Sequence, residues 1–231
     1  GSVGFRAWNC SAQFKNIRFG ADEASMKEIE IPDFSQNKVS VSGMWESVFR
    51  GGAQGELSLT KENPYKGSQS QRIVYTSGEG AVGVNNMGLN RKGMNFEKDK
   101  AYEGYFYARS DEGAQVSVVL ESADGSRQYA KQAVAVSDGE WKKYAFTITP
   151  NAKDAAGRMT LELENPGTVD LGYVFLQPGE WGRYKGLPVR KDVGEALENQ
   201  HLSVLRFGGC MANAEGYKWK NMLGDPETRP V

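Results

Sequence analysis

The chain has 231 residues, 39% hydrophobic and 25% charged, a balance that excludes a disordered segment and suits one substantial domain with appendages or two small ones. Its 28 basic and 29 acidic residues leave a net charge of −1, which argues against a broad basic footprint for nucleic acid, and no apolar run is long enough to cross a bilayer. One histidine and two distant cysteines, Cys10 and Cys210, argue against multi-histidine zinc chemistry and a disulfide framework.

In chain order, Gly1-Ser2 reads as a cloning scar, so a missing export signal says nothing about compartment. Residues 5–19, FRAWNCSAQFKNIRF, alternate as one or two short strands would. The mixed-charge stretch 20–35 reads as a linker or strap. From 36 to 178, the runs 38–41, 55–61, 71–76, 81–84, 102–109, 115–121, 128–136, 141–149, 159–164 and 171–176 read as strands. Turn chemistry separates them at Glu62-Asn63-Pro64, Ser77-Gly78-Glu79-Gly80, Asp111-Glu112-Gly113, Asp124-Gly125 and Asp138-Gly139. With no long helical period, this pattern predicts an all-β fold, an antiparallel β-sandwich of the jelly-roll type. GMWESVFRGG, carrying Trp45 and Phe49, reads as a glycine-rich loop.

After Pro178 the pattern changes. Residues 188–200 place Val193, Ala196 and Leu197 at helical spacing, with Pro188 near the start. LSVLRF (202–207) is a continuous apolar run that reads as a strand buried on both faces and ended by Gly208-Gly209. Helix, loop and buried strand form a short C-terminal α/β remnant, because a complete barrel typically needs about 250 residues.

Three segments carry a family resemblance. Residues 81–110 (AVGVNNMGLNRKGMNFEKDKAYEGYFYARS), 138–150 (DGEWKKYAFTITP) and 169–178 (VDLGYVFLQP) resemble the carbohydrate-binding-like module of plant-type α-L-arabinofuranosidases of glycoside hydrolase family 51. Modules of carbohydrate-binding families 4, 9 and 22 share these motifs. VLRFGGC (204–210), continuing to YKWKNMLGDPETRP (217–230), resembles the opening of that family's catalytic barrel. Residues 5–19 resemble the closing strands of a concanavalin-like domain. The resemblance implies a boundary layout of 1–19, a linker at 20–35, a carbohydrate-binding sandwich at 36–178, and a linker plus barrel start at 179–231. It places the two catalytic carboxylates on later barrel strands, so no catalytic residue and no enzyme activity is expected of this chain. Arg206 matches a supporting arginine of the active site, and Cys210 a loop position near the sugar. Phe207 runs into Gly208 where the family usually has an intervening proline. Gly172 stands where related modules often carry an aspartate that helps hold a structural calcium, which leaves no cofactor expected and puts a calcium site in doubt.

Sugar rings stack C–H faces on aromatic side chains, while their hydroxyls seek planar donors and acceptors. Alternation along 102–109 puts Tyr102, Phe106 and Ala108 on one face and Tyr105, Tyr107 and Arg109 on the other. Val116, Val118 and Leu120 match the first set as core. That sends Tyr105, Tyr107, Arg109 and Glu121 to one outer face as a sugar platform. The competing reading is that flanking segments cover this face. Asn85, Asn86, Asn90 and Arg91 offer partners for vicinal hydroxyls, or only satisfy a turn. Trp45 either caps a groove or plugs the sandwich end. Trp141 is expected in the core, and Trp181 and Tyr184 between domains. The expected function is non-catalytic binding of plant cell-wall polysaccharide, namely xylan, arabinoxylan or β-glucan. The protein would be secreted or periplasmic, with a catalytic domain on the same polypeptide and with neither nucleic acid nor membrane as partner. The alternatives are a sandwich that braces an arabinofuranosidase domain, or a fragment of that enzyme.

Overall fold

The computed structural model describes residues 18–28, 38–137, 139–204, 206, 209, 217–225, 227 and 229. The chain divides into two units, Gly1–Gln36 and Asn37–Val231. In the first, β1 (Arg18–Phe19) and β2 (Lys27–Glu28) pair antiparallel across a turn where Asp22 Oδ1 accepts the Ser25 amide at 2.8 Å. The stretch read as linker therefore holds a hairpin strand, too short for alternation to show. The strands expected before residue 18 and any Cys10–Cys210 bond lie outside the described residues.

The second unit contains β3 (Trp45–Gly51), β4 (Gln54–Thr60), β5 (Ser70–Ser77), β6 (Gly80–Asn86), β7 (Met94–Phe96) and β8 (Tyr102–Arg109). There follow β9 (Ala114–Glu121), β10 (Gln128–Val136), β11 (Lys142–Ile148), β12 (Asp154–Leu163), β13 (Gly167–Pro178), β14 (Arg183–Tyr184), β15 (Leu187–Arg190) and α1 (Lys191–Asn199). One sheet runs β10-β9-β12-β6-β3 with β7 on β12; the second runs β11-β8-β13-β5-β4. Both are antiparallel and face each other across one core, the sandwich that the turn-punctuated runs predict.

Alternation builds that core. On β8, Tyr102, Phe106 and Ala108 are buried while Tyr105, Tyr107 and Arg109 face outward. Val116, Val118 and Leu120 of β9 and Leu161 and Leu163 of β12 meet them from the other sheet, each at 0 or 1% exposure. Burying each such side chain contributes about 1.5–3 kcal/mol. Gly104 has no side chain because the Phe146 ring occupies its place; a Cβ there would lie 2.3 Å from Phe146 Cζ. Along β13 the register slips between Leu171 and Val174, so Gly172 and Tyr173 together fill one outward step.

Several expectations need correction. Residues 38–41 make only a parallel bridge, Val39 to Leu57, because Val39 pairs singly at the sheet edge. Trp45 and Phe49 lie on strand β3 rather than in a loop; the flanking glycines mark its ends. The helix expected at 188–200 runs Lys191–Asn199. At 202–207, Leu202 and Val204 are 53% and 80% exposed and pair with no strand among the described residues. Leu205 and Phe207 of that run lie outside the described residues. Replacing Leu161 with Ala is expected to cost about 3 kcal/mol in urea unfolding, from lost transfer energy and the cavity left between the sheets.

Candidate functional site

The outer surface of the second sheet gathers the aromatic residues singled out in the sequence. Tyr105 and Tyr107 project from β8, Phe175 from β13, and Lys143 and Ala145 stand opposite them on β11. Tyr65, from the loop after β4, lies flat on Tyr107 with ring centroids 4.1 Å apart and planes 20° apart. Its approach depends on Gly172, where any Cβ would come 2.6 Å from Tyr65 Cβ. Trp141 packs beside Tyr65 at 5.6 Å and donates from Nε1 to Asn63 O at 2.8 Å. It is therefore a surface ring rather than a core residue, because β11 starts one residue later and leaves Trp141 on the outward side of the strand end.

Arg109 does not reach outward for a ligand. Its guanidinium donates to Asp170 Oδ2 at 3.0 Å and to Glu62 O at 2.7 Å, and it lies 5.4 Å from the Trp141 ring centre. Arg72 clamps the same Asp170 carboxylate at 2.7 and 2.9 Å. Both Asp170 oxygens are thus engaged. Nor do the residues here fit a calcium ion, since the Tyr65 ring covers the Gly172 position and Asp170 already serves two arginines.

The C-terminal segment reaches this face. Glu227, 5% exposed, accepts a hydrogen bond from the Tyr105 hydroxyl at 2.9 Å and one from Lys143 Nζ at 2.8 Å. Lys143 Nζ sits 3.8 Å from the centre of the Tyr105 ring, within cation–π range. The Lys143 hydrogen bond holds the Glu227 carboxyl below its usual range, and the same contact raises the Lys143 ammonium. Burial, then the bond to Glu227, pushes the Tyr105 phenol upward. The Tyr107 end of the expected platform is thus covered by Tyr65, and the Tyr105 hydroxyl is engaged by the chain itself.

Glu121 belongs elsewhere. Although β8 and β9 are consecutive, they lie in different sheets, so their apolar sets meet across the core and their outward sets point to opposite sides. Side-by-side pairing and a crossing between sheets give the same alternation, which is why the sequence could not separate them. Glu121 is 1% exposed and accepts hydrogen bonds from Arg50 at 2.7 and 2.8 Å, Arg158 at 2.8 Å and Thr160 at 2.5 Å. Arg50 also binds Glu162 at 2.7 Å, yet burial keeps the Glu162 carboxyl above its usual range. No sequence signal marked Arg50, Arg158 or Glu162, which share a face only once three strands are paired.

The amide cluster divides in the same way. Asn85 is 1% exposed on β6 and reaches only Glu46 O, at 3.5 Å; its Oδ1 has no partner among the described residues. Asn86 Oδ1 accepts the Gly88 amide at 2.7 Å, a turn-forming bond. Asn90 and Arg91 take left-handed backbone in an exposed 3-10 turn, and Arg91 pairs with Glu46 at 3.1 Å. Trp45 packs on the core edge above a cavity of about 270 Å³ shared with Gln71 and Leu171, so it plugs the sandwich end. Trp181 packs edge-on against Tyr102 at 5.5 Å, and Tyr184 binds Glu198 of α1 at 2.7 Å. Arg206 is exposed, and Cys210 lies outside the described residues.

Comparison with known proteins agrees with this architecture. A family model described as a carbohydrate binding domain matches residues 40–168. Alpha-L-arabinofuranosidase 1 of Arabidopsis thaliana is 31% identical over 159 residues, covering 65% of this chain and 23% of that protein. The extracellular exo-alpha-L-arabinofuranosidase of Streptomyces chartreusis is 30% identical over 178 residues, covering 70% of this chain and 21% of that protein. The chain thus spans under a quarter of the length of these relatives. The arabinose-bound MgGH51 α-L-arabinofuranosidase shares the fold at a TM-score of 0.68 and 20% identity, over 81% of this chain and 32% of that one. Substituting Gly172 by Ala is expected to displace Tyr65 and destabilise the sandwich by about 1–3 kcal/mol in chemical denaturation.

Proposed function

The chain belongs to the carbohydrate binding domain family, and from that premise we propose that it is the non-catalytic sandwich module of an α-L-arabinofuranosidase-like glycoside hydrolase, secreted or periplasmic, whose aromatic sheet seats a segment of its own polypeptide. The observation that carries this reading is Glu227, buried against Tyr105 and Lys143. A platform kept for saccharide leaves its phenol hydroxyls free; here one is engaged by the C-terminal segment. The buried carboxylates also speak against glycoside cleavage. A retaining pair sits about 5 Å apart with one member free to attack and one to protonate. Glu121, Glu162, Asp170 and Glu227 are instead all held by arginine or lysine.

The seat depends on pH in a defined direction. The folded Glu227 carboxyl lies below its unfolded value of about 4.3, so its contribution is present above that pH and is lost as pH falls through the depressed folded value. Hydrogen exchange is expected to show protection of residues 217–225 at pH 7 that fades below about pH 4 and is already absent in Lys143→Met, with the sandwich strands unchanged. Equal protection in Lys143→Met would remove the bracing role.

A second reading, favoured by the family match, is that the module also binds plant cell-wall polysaccharide. Its recognition would use shallow stacking and hydroxyl hydrogen bonds, on chains such as xylan, arabinoxylan or β-glucan. Titration calorimetry with soluble xylan and β-glucan is expected to give millimolar-range binding, and incubation with an aryl arabinofuranoside no hydrolysis. Silence with every polysaccharide would discard this reading; release of the aryl group would discard the non-catalytic one.

A further inference from the structure

Tyr65 is pinned over Tyr107 from several sides. Glu62 O accepts from Arg109 Nη2 at 2.7 Å, Asn63 O accepts from Trp141 Nε1 at 2.8 Å, and the Tyr65 amide donates to Ser70 Oγ at 3.1 Å. Asn63 takes left-handed backbone, φ 45°, a conformation that asparagine enters more readily than most residues. On the sheet side, Gly172 belongs to the widened step of β13, where two residues face the single Tyr107, and its missing side chain makes room for Tyr65. The two phenol rings are left 4.1 Å apart between centres, with 20° between their planes.

Two phenylalanines would fill the same space. What the tyrosines add is a pair of oxidisable rings with their hydroxyls together: burial, then a hydrogen bond between its hydroxyl and that of Tyr107, raises the Tyr65 phenol. Lys143 Nζ lies 5.9 Å from the centre of the Tyr107 ring and opposes positive charge there, so an electron withdrawn from that ring departs with the hydroxyl proton. The product is a neutral phenoxyl radical, whose unpaired spin lies partly on the carbons ortho to oxygen. With the hydroxyls adjacent, the ortho carbons of the two rings adjoin. Coupling of two such radicals in solution needs an encounter; partners already in contact react as one unit. Neighbouring contacts are less suited. Tyr105 meets Tyr107 at 6.4 Å with planes at 87°, lies 6.1 Å from Tyr173, and has its hydroxyl held by Glu227.

We propose that Tyr65 and Tyr107 form an oxidative cross-linking site, joined carbon to carbon as dityrosine when a peroxidase using hydrogen peroxide withdraws one electron from each ring. Each phenol gives up one electron and its hydroxyl proton, and these reduce the peroxide to two waters. The radicals share their unpaired electrons in a new bond between ortho carbons, and the hydrogens on those carbons move as protons to the two oxygens, restoring both phenols. The bond staples the loop after β4 to β8 and fixes Tyr65 over the Gly172 step. It closes the chain between positions 65 and 107 even when unfolded, as a disulfide would. The site stands apart from saccharide binding and from the Glu227 seat.

The test treats the 231-residue chain, in dilute solution, with a haem peroxidase and hydrogen peroxide, then reads dityrosine fluorescence and tryptic peptide masses. The expected product joins peptide 62–66 to peptide 101–109, lighter than their sum by two hydrogens, with fragment ions placing the bond at Tyr107 rather than Tyr102 or Tyr105. The cross-linked chain is expected to melt at a higher temperature than the untreated one. Tyr65→Phe and Tyr107→Phe are each expected to lose this product while melting, before oxidation, close to the parent, because the stack is kept. Tyr184→Phe is expected to retain it in full. A bond through Tyr105, bonds only between copies, or undiminished fluorescence in Tyr65→Phe would overturn the proposal. So would oxidation of Trp141 without any dityrosine. The peptide map of the parent chain decides the matter even where a variant fails to fold.

Discussion

The inner faces of the two sheets govern everything outside them. Phe106 and Ala108 must meet Val118 and Leu120 across one apolar layer, and each strand then has only one way to present its remaining side chains. Because β8 and β9 lie in different sheets, that single requirement sends Tyr105 and Glu121 to opposite surfaces. Neither surface is free to choose its residues independently of the core.

Each surface then handles buried charge by the same device. On one sheet Asp170 sits between Arg72 and Arg109; on the other Glu121 sits between Arg50 and Arg158. Such pairs add little net stability, because desolvation offsets attraction, but loss of one partner leaves an uncompensated charge at a cost of about 3–5 kcal/mol. Each carboxylate also joins strands distant in sequence. Arg72, Arg109 and Asp170 come from β5, β8 and β13, so the bridge forms only in the native register.

The sandwich was legible in the sequence because its signals are local: alternation within a strand, and Gly, Asn or Asp between strands. The face assignment within β8 was legible for the same reason. What could not be read is relational. Glu121 was placed beside Tyr105 because matched alternation does not reveal whether two strands are neighbours or lie across the core from one another. Trp45 was hidden on a strand whose ends carry Gly43, Gly51 and Gly52, so the whole run resembled a loop. The engagement of Tyr105 by Glu227 joins residues 122 positions apart, and nothing in either local pattern announces it. Asn85 looks like part of an asparagine-rich turn but lies within β6, buried on the face turned away from the core beside Glu46 and Thr160.

The irregular step at Gly172 and Tyr173 acts as a frame shift within β13. Ahead of it, Asp170 faces outward and Leu171 inward; past it, the odd-numbered Phe175 and Gln177 face outward while Val174 and Leu176 pack on the core. One strand therefore carries two messages in opposite phase, an ionic anchor followed by an aromatic edge. Deleting one residue at the step would restore plain alternation from Leu171 to Leu176, so Phe175 would still face outward while the local bend and twist that a bulge adds would be lost.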